Sequence, residues 1–206
     1  MKKIIVVSII LFCLPIALFA EVNKSEVVNE KLTSPDGNLV FSFCQEKISG
    51  EGKIMLYNVS YKGKTVIGTS KMGVEIDNKT FESALAVPHD SCKTWCENMN
   101  FIATERICKD TLWHPAYGEW SSIRDHYNSM TPRFMKGSSQ DSGEPFDKMK
   151  CYYLNIEVRA YNEGIAFRYT FPETSNGLFL HLTDELTTFC FEPGAKAWHT
   201  AWAQGP

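Results

Sequence analysis

A regular alternation of apolar and polar side chains between Tyr152 and Phe171 constrains the fold more than any other feature of the sequence. Apolar residues occupy alternate positions up to Ala160, a short turn at 162–164 follows, and the alternation resumes at Ile165. A period of two is typical of strands with one buried face, and two such runs around a short turn predict an antiparallel hairpin. Its apolar face needs a second layer of structure to cover it.

Other alternating segments predict the strands of that second layer. Leu39, Phe41 and Phe43 fall on one face of a strand that follows a turn at 34–37, where Pro, Asp and Gly occur together. A hairpin is predicted at 54–67, with shorter strands at 73–81 and 101–107. Residues 132–149 lack apolar periodicity and predict an exposed excursion. With no helical stripe visible, the predicted fold class is all-β, an antiparallel β-sandwich with long loops.

The first 20 residues predict a secretory signal peptide. Lys2 and Lys3 form a positive end, an almost wholly apolar run reaches Phe19, and Ala20 precedes the polar Glu21. An uncleaved anchor is the alternative, but the run is short for a span of about 20 residues. We therefore expect an exported protein, periplasmic or at the cell surface, that has no membrane contact after cleavage.

The rest of the chain divides into three predicted parts. Residues 21–33 are polar and are expected to form a loose leader, and residues 34–197 are expected to form the sandwich. Residues 198–206 carry Trp198 and Trp202 without a polar tail, and we expect them to begin a linker toward a further domain. A terminus that packs its Trp residues back on the sheet is the alternative.

Charge and cysteine content narrow the function classes. The net charge is −3 and no basic block is present, which argues against a nucleic-acid partner. Six cysteines follow the signal peptide, and this even number permits disulfides without fixing their pairing. Cys92 and Cys96 are separated by three residues, a spacing that favours a local disulfide or two buried thiols over a metal site.

The stretch 113–128 is the candidate functional surface. It reads WHPAYGEWSSIRDHYN and contains two Trp, two Tyr and two His together with charged residues. Such side chains join an apolar body to a polar tip, which suits a sugar face or a neighbouring domain. The alternative is a structural loop in which Arg124 pairs with Glu119 or Asp125. His114 and His126 could together bind a metal, but loop histidines are more commonly hydrogen-bonded side chains than ligands.

Four segments, in order and at similar spacing, resemble the N-terminal domain of glycoside hydrolase family 97. They are SPDG at 34–37, WHPAYGE at 113–119, IRDHYN at 123–128 and RAYNEGIAFRYTFP at 159–172. The resemblance covers roughly residues 31–206. It implies a β super-sandwich related to galactose-mutarotase-like domains, followed in the parent enzyme by a catalytic (β/α)8 barrel and a small β domain.

The resemblance also implies a function for the parent enzyme. Characterised family members are calcium-dependent α-glucosidases or α-galactosidases of the bacterial envelope. In the family the catalytic carboxyl pair and most of the calcium ligands belong to the barrel, which needs about 250 residues. The resemblance therefore implies no catalytic residue and no metal ligand within this chain. Calcium is expected only in the full-length enzyme, and this chain alone is expected to be inactive.

The expected role is therefore non-catalytic, with the barrel of the same parent protein and carbohydrate as partners. The chain would pack on the barrel and help to shape the pocket for α-glucoside or α-galactoside hydrolysis. A self-standing secreted carbohydrate-binding sandwich is the alternative function, and an inert remnant is a third. The candidate substrate- or domain-interface residues are Trp113, Tyr117, Glu119, Arg124, Asp125, His126, Tyr127, Trp198 and Trp202.

Overall fold

A computed structural model describes residues 28–50, 52–76, 96–137, 151–172, 182–196 and 198. Within these ranges the chain forms ten β-strands and no helix. The strands are β1 (Val28–Thr33), β2 (Leu39–Ile48), β3 (Gly52–Tyr61), β4 (Lys64–Met72), β5 (Val74–Ile76), β6 (Asn100–Trp113), β7 (Ile123–Gly137), β8 (Cys151–Ala160), β9 (Ile165–Thr170) and β10 (Leu182–Glu185). The predicted all-β class is confirmed.

The strands form two four-stranded antiparallel sheets and one small pair. The first sheet has the order β1-β2-β3-β4 and the second has the order β6-β7-β8-β9. In both sheets each strand pairs with the next one along the chain, as short connections favour. The small pair joins β5 to β10 and brings the end of the described chain back beside β4.

The two four-stranded sheets share one apolar core. The predicted inward residues of β2 and the alternate residues of β8 from Leu154 to Ala160 are buried in it. Aromatic rings from the two sheets contact each other. The ring centroids of Phe43 and Phe134 are 5.7 Å apart, and those of Tyr57 and Phe167 are 5.8 Å apart. Because each sheet covers the apolar face of the other, the structure is a β-sandwich.

Side-chain hydrogen bonds join the two sheets along one edge, where β1 faces β6 and β7. Thr104 Oγ1 donates to Glu30 (2.9 Å), Arg106 donates to the Lys31 carbonyl (2.7 Å) and forms an ion pair with Glu30, and Asn128 donates to the Thr33 carbonyl (2.9 Å). The prediction of a loose leader at 21–33 is therefore wrong for residues 28–33. Their polar composition reflects an edge strand that is largely exposed.

The two turns predicted from Gly-containing motifs meet at one end of the sandwich. In the first turn Gly37 has a φ of +74°, which glycine adopts without strain, and Asp36 accepts a hydrogen bond from the Asn38 amide (3.0 Å). In the second turn the Tyr161 amide donates to the Gly164 carbonyl (2.9 Å). The Asp36 amide also donates to the Asn162 side chain (3.1 Å), so the two motifs support each other.

The exposed excursion predicted at 132–149 is wrong for residues 132–137. These residues continue β7, and both Pro132 and Phe134 are fully buried. β7 is an interior strand, but its pairing with β8 is interrupted between Met130 and Arg133, so Pro132 lies where no hydrogen bond to β8 is needed. Residues 138–149 lie outside the described part of the chain, as do residues 77–81 of the segment predicted as strands at 73–81.

Four of the six cysteines are described with their side chains, and all four are free thiols. Cys96 is buried in the core, and this burial raises the pKa of its thiol to about 12. Cys96 is therefore a buried thiol, one of the two readings open for it. Cys92 lies outside the described residues.

Replacing Phe43 with Ala should destabilise the sandwich by about 3–5 kcal/mol, because it removes a buried ring at the contact between the sheets. Urea denaturation followed by circular dichroism measures this change. Phe191→Ala is the matched control, since that ring is 52% exposed and its loss should cost no more than about 0.5 kcal/mol. Equal losses in the two variants would contradict a shared core centred on Phe43 and Phe134.

Candidate functional site

The stretch predicted as a functional surface is the end of the long β6–β7 hairpin. The pairing of β7 with β8 begins at Asn128 and Ala160, but the pairing of β7 with β6 continues as far as Trp113 and Ile123. Residues 109–113 and 123–127 therefore pair only with each other, beyond the end of β8. We call residues 109–127 the arm. Its paired part extends the sheet by about 15 Å, at the usual rise of a strand.

The tip of the arm, at 114–122, exposes large aromatic side chains. Tyr117 is 91% exposed, Trp120 is 72% exposed, and Trp113 at the end of β6 is 50% exposed. Gly118 reverses the chain between them with a φ of +130°. His114 Nδ1 lies 2.8 Å from the Ser121 carbonyl, so the ring donates a hydrogen bond across the tip. The Trp113, Tyr117 and Trp120 rings therefore remain in contact with water unless a binding partner covers the tip.

Arg124 lies on one face of the arm and pairs with Asp110 of the opposite strand. Its Nε and one terminal nitrogen each lie 2.7 Å from a different oxygen of Asp110, a bidentate geometry. The hydrogen bond from Arg124 holds the pKa of Asp110 below its usual range. The expected pairing of Arg124 with Glu119 or Asp125 is therefore wrong. Cross-strand register places Arg124 diagonally opposite Asp110, with His126 beside Asp110 on the same face.

Asp125 and Tyr127 lie on the opposite face of the arm, where side chains from β6 and β8 surround them. Asp125 accepts hydrogen bonds from Lys109 Nζ (2.8 Å) and from the Tyr161 hydroxyl (3.2 Å). The Lys109 bond holds the pKa of Asp125 below its usual range. The Tyr127 ring is 6% exposed and lies under the Arg159 guanidinium, with 4.7 Å from ring centroid to Cζ. This cluster fixes the base of the arm to β8.

The same outward face continues as a row of paired charges on β8 and β9. Glu157 accepts hydrogen bonds from Arg159 Nε (2.8 Å) and from Arg168 Nε (2.7 Å), one at each carboxylate oxygen. Partial burial raises the pKa of Glu157, but the hydrogen bonds from the two arginines outweigh it and hold the pKa below its ordinary value. A cavity of about 180 Å³ lies along this row, lined mainly by these three residues and Phe167.

The predicted site residues are thus distributed over three places. Trp113, Asp125 and Tyr127 share the outward face, Arg124 and His126 lie on the reverse face, and Tyr117 and Glu119 lie at the tip. Trp198 is exposed outside any strand, and Trp202 is not among the described residues.

Several important partners are missing from that predicted set: Lys109, Asp110, Trp120, Arg159 and Tyr161. Arg159 and Tyr161 occupy polar positions of the alternating hairpin and belong to one of the four motifs, so the sequence carried a signal for them. Lys109 and Asp110 could be found only from the strand register.

Within the described ranges, no three or more His, Cys, Asp and Glu side chains are grouped closely enough to hold a metal ion. The same part of the chain contains no helix that is long and apolar enough to cross a membrane.

Comparison with known proteins connects this geometry to a family. A sequence model described as Glycosyl-hydrolase 97 N-terminal matches residues 32–205. The chain belongs to the glycoside hydrolase family 97 N-terminal family. A curated relative, the retaining alpha-galactosidase of Bacteroides thetaiotaomicron, is 27% identical over 191 residues. That match covers 93% of this chain and 22% of the relative.

Solved structures of a family 97 enzyme and of a second enzyme show the same fold. A variant of the Pseudoalteromonas sp. strain K8 enzyme in complex with panose matches with a TM-score of 0.59 and 22% identity, over 80% of this chain and 20% of that one. A beta-arabinopyranosidase matches with a TM-score of 0.56 and 19% identity, over 79% of this chain and 21% of that one. The family 97 domain therefore spans about a fifth of the length of these relatives.

The charged row of this family 97 domain yields a prediction about pH. Replacing Arg159 or Arg168 with Ala should raise the pKa of Glu157, because each removes a hydrogen bond that favours the carboxylate. Because the pKa of Glu157 is lowered in the folded state, the row stabilises the fold at pH values above the ordinary carboxyl pKa. This stabilisation is lost as the pH falls through the folded-state pKa of Glu157. A carbon-13 NMR titration of the Glu157 carboxyl measures the change.

Arg133→Ala is the control for this titration, because Arg133 pairs with Glu105 of β6 (2.8 Å), which is not part of the row. It should leave the titration of Glu157 unchanged. The assignment of the row as an electrostatic unit fails if Glu157 titrates identically in the parent chain and in both of the other arginine variants.

Proposed function

We propose that this chain is the non-catalytic N-terminal domain of an exported glycoside hydrolase family 97 enzyme. It packs on a catalytic (β/α)8 barrel of the same protein and helps to wall the substrate pocket. The observation that carries the proposal is the family match over residues 32–205 in a chain that spans about a fifth of its relatives. In this reading the sandwich has the super-sandwich form of galactose-mutarotase-like domains.

The arm is the proposed docking surface. It extends beyond β8 and presents Tyr117 and Trp120 to solvent, while ion pairs on both faces hold its two strands together. Aromatic rings that are fixed in place before binding contribute strongly to interfaces because little side-chain entropy is lost. A barrel that covers the tip would bury these rings.

Catalysis is assigned to the barrel on chemical grounds. Glycoside hydrolysis usually needs two carboxyl groups facing each other, about 5–5.5 Å apart for retention or roughly 6.5–9.5 Å for inversion. Asp125 is an ion-paired carboxylate with a lowered pKa, the opposite of what a general acid requires. Glu119 lies at the exposed tip, outside this cluster. The two residues are therefore assigned to supporting roles.

The remaining features of the parent enzyme follow the same proposal. Residues 1–20 direct export to the periplasm or cell surface and are then removed. The substrate class is an α-galactoside or an α-glucoside, by analogy with the retaining alpha-galactosidase and the panose complex among the relatives. The calcium expected in the full-length enzyme would be held by carboxylates outside this chain, and no step of catalysis is assigned to it here.

The chain on its own should not hydrolyse p-nitrophenyl α-galactoside or p-nitrophenyl α-glucoside, because it lacks the facing carboxyl pair. The DNA downstream of codon 206 should encode a barrel, in frame or after a frame shift, and the product that includes this barrel should hydrolyse one of the two substrates. Release of p-nitrophenol measures activity. Hydrolysis by the chain alone would contradict the non-catalytic role.

In the barrel-containing protein, Tyr117→Ala with Trp120→Ala should lower kcat/KM about tenfold or more, because two anchoring rings are lost from the interface. Ile102→Ala is the matched control, since Ile102 is 48% exposed near the other end of β6. If the paired tip variant keeps full activity, the arm does not shape the pocket. Glycan binding by the chain alone that is lost in this variant would instead favour a self-standing carbohydrate-binding sandwich.

A further inference from the structure

The outward face of the β1–β4 sheet contains a second, larger cavity away from the arm. It has a volume of about 840 Å³, within the usual range of ligand pockets of roughly 300–1,000 Å³. Two neighbouring cross-strand rows form its floor. Asn29, Cys44 and Leu56 make one row, and Lys31, Ser42 and Asn58 make the other. We call this cavity the sheet groove.

Four of the polar side chains that line the sheet groove are not used to hold the fold together. Asn29, Ser42, Asn58 and Thr69 line it, and none of them makes a side-chain hydrogen bond to any residue that the structure describes. On the outward face of the other sheet, by contrast, Glu157 and Asp125 are both bonded to basic side chains. Amide and hydroxyl groups that lack an internal partner are available to a ligand.

The shape of β4 helps to present these groups. Between the pairs Tyr57–Ser70 and Val59–Ile67, β4 advances by three residues while β3 advances by two. The extra residue is a β-bulge, which bends a strand and turns its side chains away from the regular pleat. Thr69 lies within this bulge and lines the groove.

The charge of the sheet groove favours a neutral ligand. Its lining includes two basic side chains, Lys31 and Arg106, and two acidic ones, Glu30 and Glu46, so neither sign of charge is in excess. Leu56, 8% exposed, provides a small apolar surface between the polar groups. Amides and hydroxyls both donate and accept hydrogen bonds, which matches the hydroxyl groups of a sugar ring, and an aliphatic side chain suits its C–H face.

We propose that the sheet groove binds a neutral oligosaccharide through Ser42, Asn58 and Thr69, with a sugar ring lying over Leu56. This site is separate from the arm, so it goes beyond the docking role and would tether a glycan chain to the domain. Binding is non-covalent and requires no cofactor.

Titration of the nitrogen-15-labelled chain with maltotriose, followed by NMR, tests the proposal. Maltotriose should shift the signals of residues in the groove, including the Asn58 side-chain amide. Asn58→Ala and Ser42→Ala should each weaken binding about fivefold, the effect of losing one hydrogen bond. Ser60→Ala is the matched control, because Ser60 lies on the same face of β3 as Asn58 but does not line the groove. The affinity of this variant for maltotriose should be unchanged.

Two results would overturn the proposal. One is the absence of any shift in the groove at about 10 mM maltotriose, raffinose or cellotriose, a range that detects millimolar binding. The other is a set of shifts confined to the arm. Trp120→Ala separates the two sites, because it should remove docking of the barrel and leave maltotriose binding in the groove intact. Circular dichroism of Ser42→Ala shows that loss of binding does not arise from unfolding.

Discussion

The apolar contact between the two four-stranded sheets is the interaction on which the rest of the structure depends. Phe43 and Phe134 meet within it, and the alternate residues of β8 are fully buried beneath them. β7 contributes to this core through its second half and forms the arm through its first five residues. The position of the arm is therefore set by core packing in the same strand, and the sheet groove likewise lies on the back of a sheet whose other face is the core.

Beyond β8 the core no longer supports the chain. A two-stranded ribbon is marginally stable in water, and exposed ion pairs contribute little individually. Several weak interactions stabilise the arm together. They are the bidentate Arg124–Asp110 pair on one face and the hydrogen bonds among Lys109, Asp125 and Tyr161 on the other. Tyr127, buried under Arg159, connects this set to β8. The base of the arm is thus well held, and the exposed aromatic rings are concentrated at the tip.

The sequence alone predicts the sandwich because its core strands alternate cleanly. The hairpin formed by β8 and β9, the inward residues of β2 and the all-β class all follow from period two. β1 is missed because it is a polar edge strand, and the end of β7 is missed because Pro132 obscures its pattern. The candidate surface is recognised by its aromatic density. Its division into two faces and the pairing of Arg124 with Asp110 depend on strand register, which composition does not reveal.

The central claim is that the arm is half of an interface whose other half is a catalytic barrel. Hydroxyl-radical footprinting of Tyr117 and Trp120 tests it most directly, in the chain alone and in the chain joined to a family 97 barrel. If the arm forms this interface, both rings should be strongly modified in the chain alone and protected when the barrel is present. Phe191 should be modified equally in the two proteins. Equal modification of Tyr117 and Trp120 in the two proteins would contradict it.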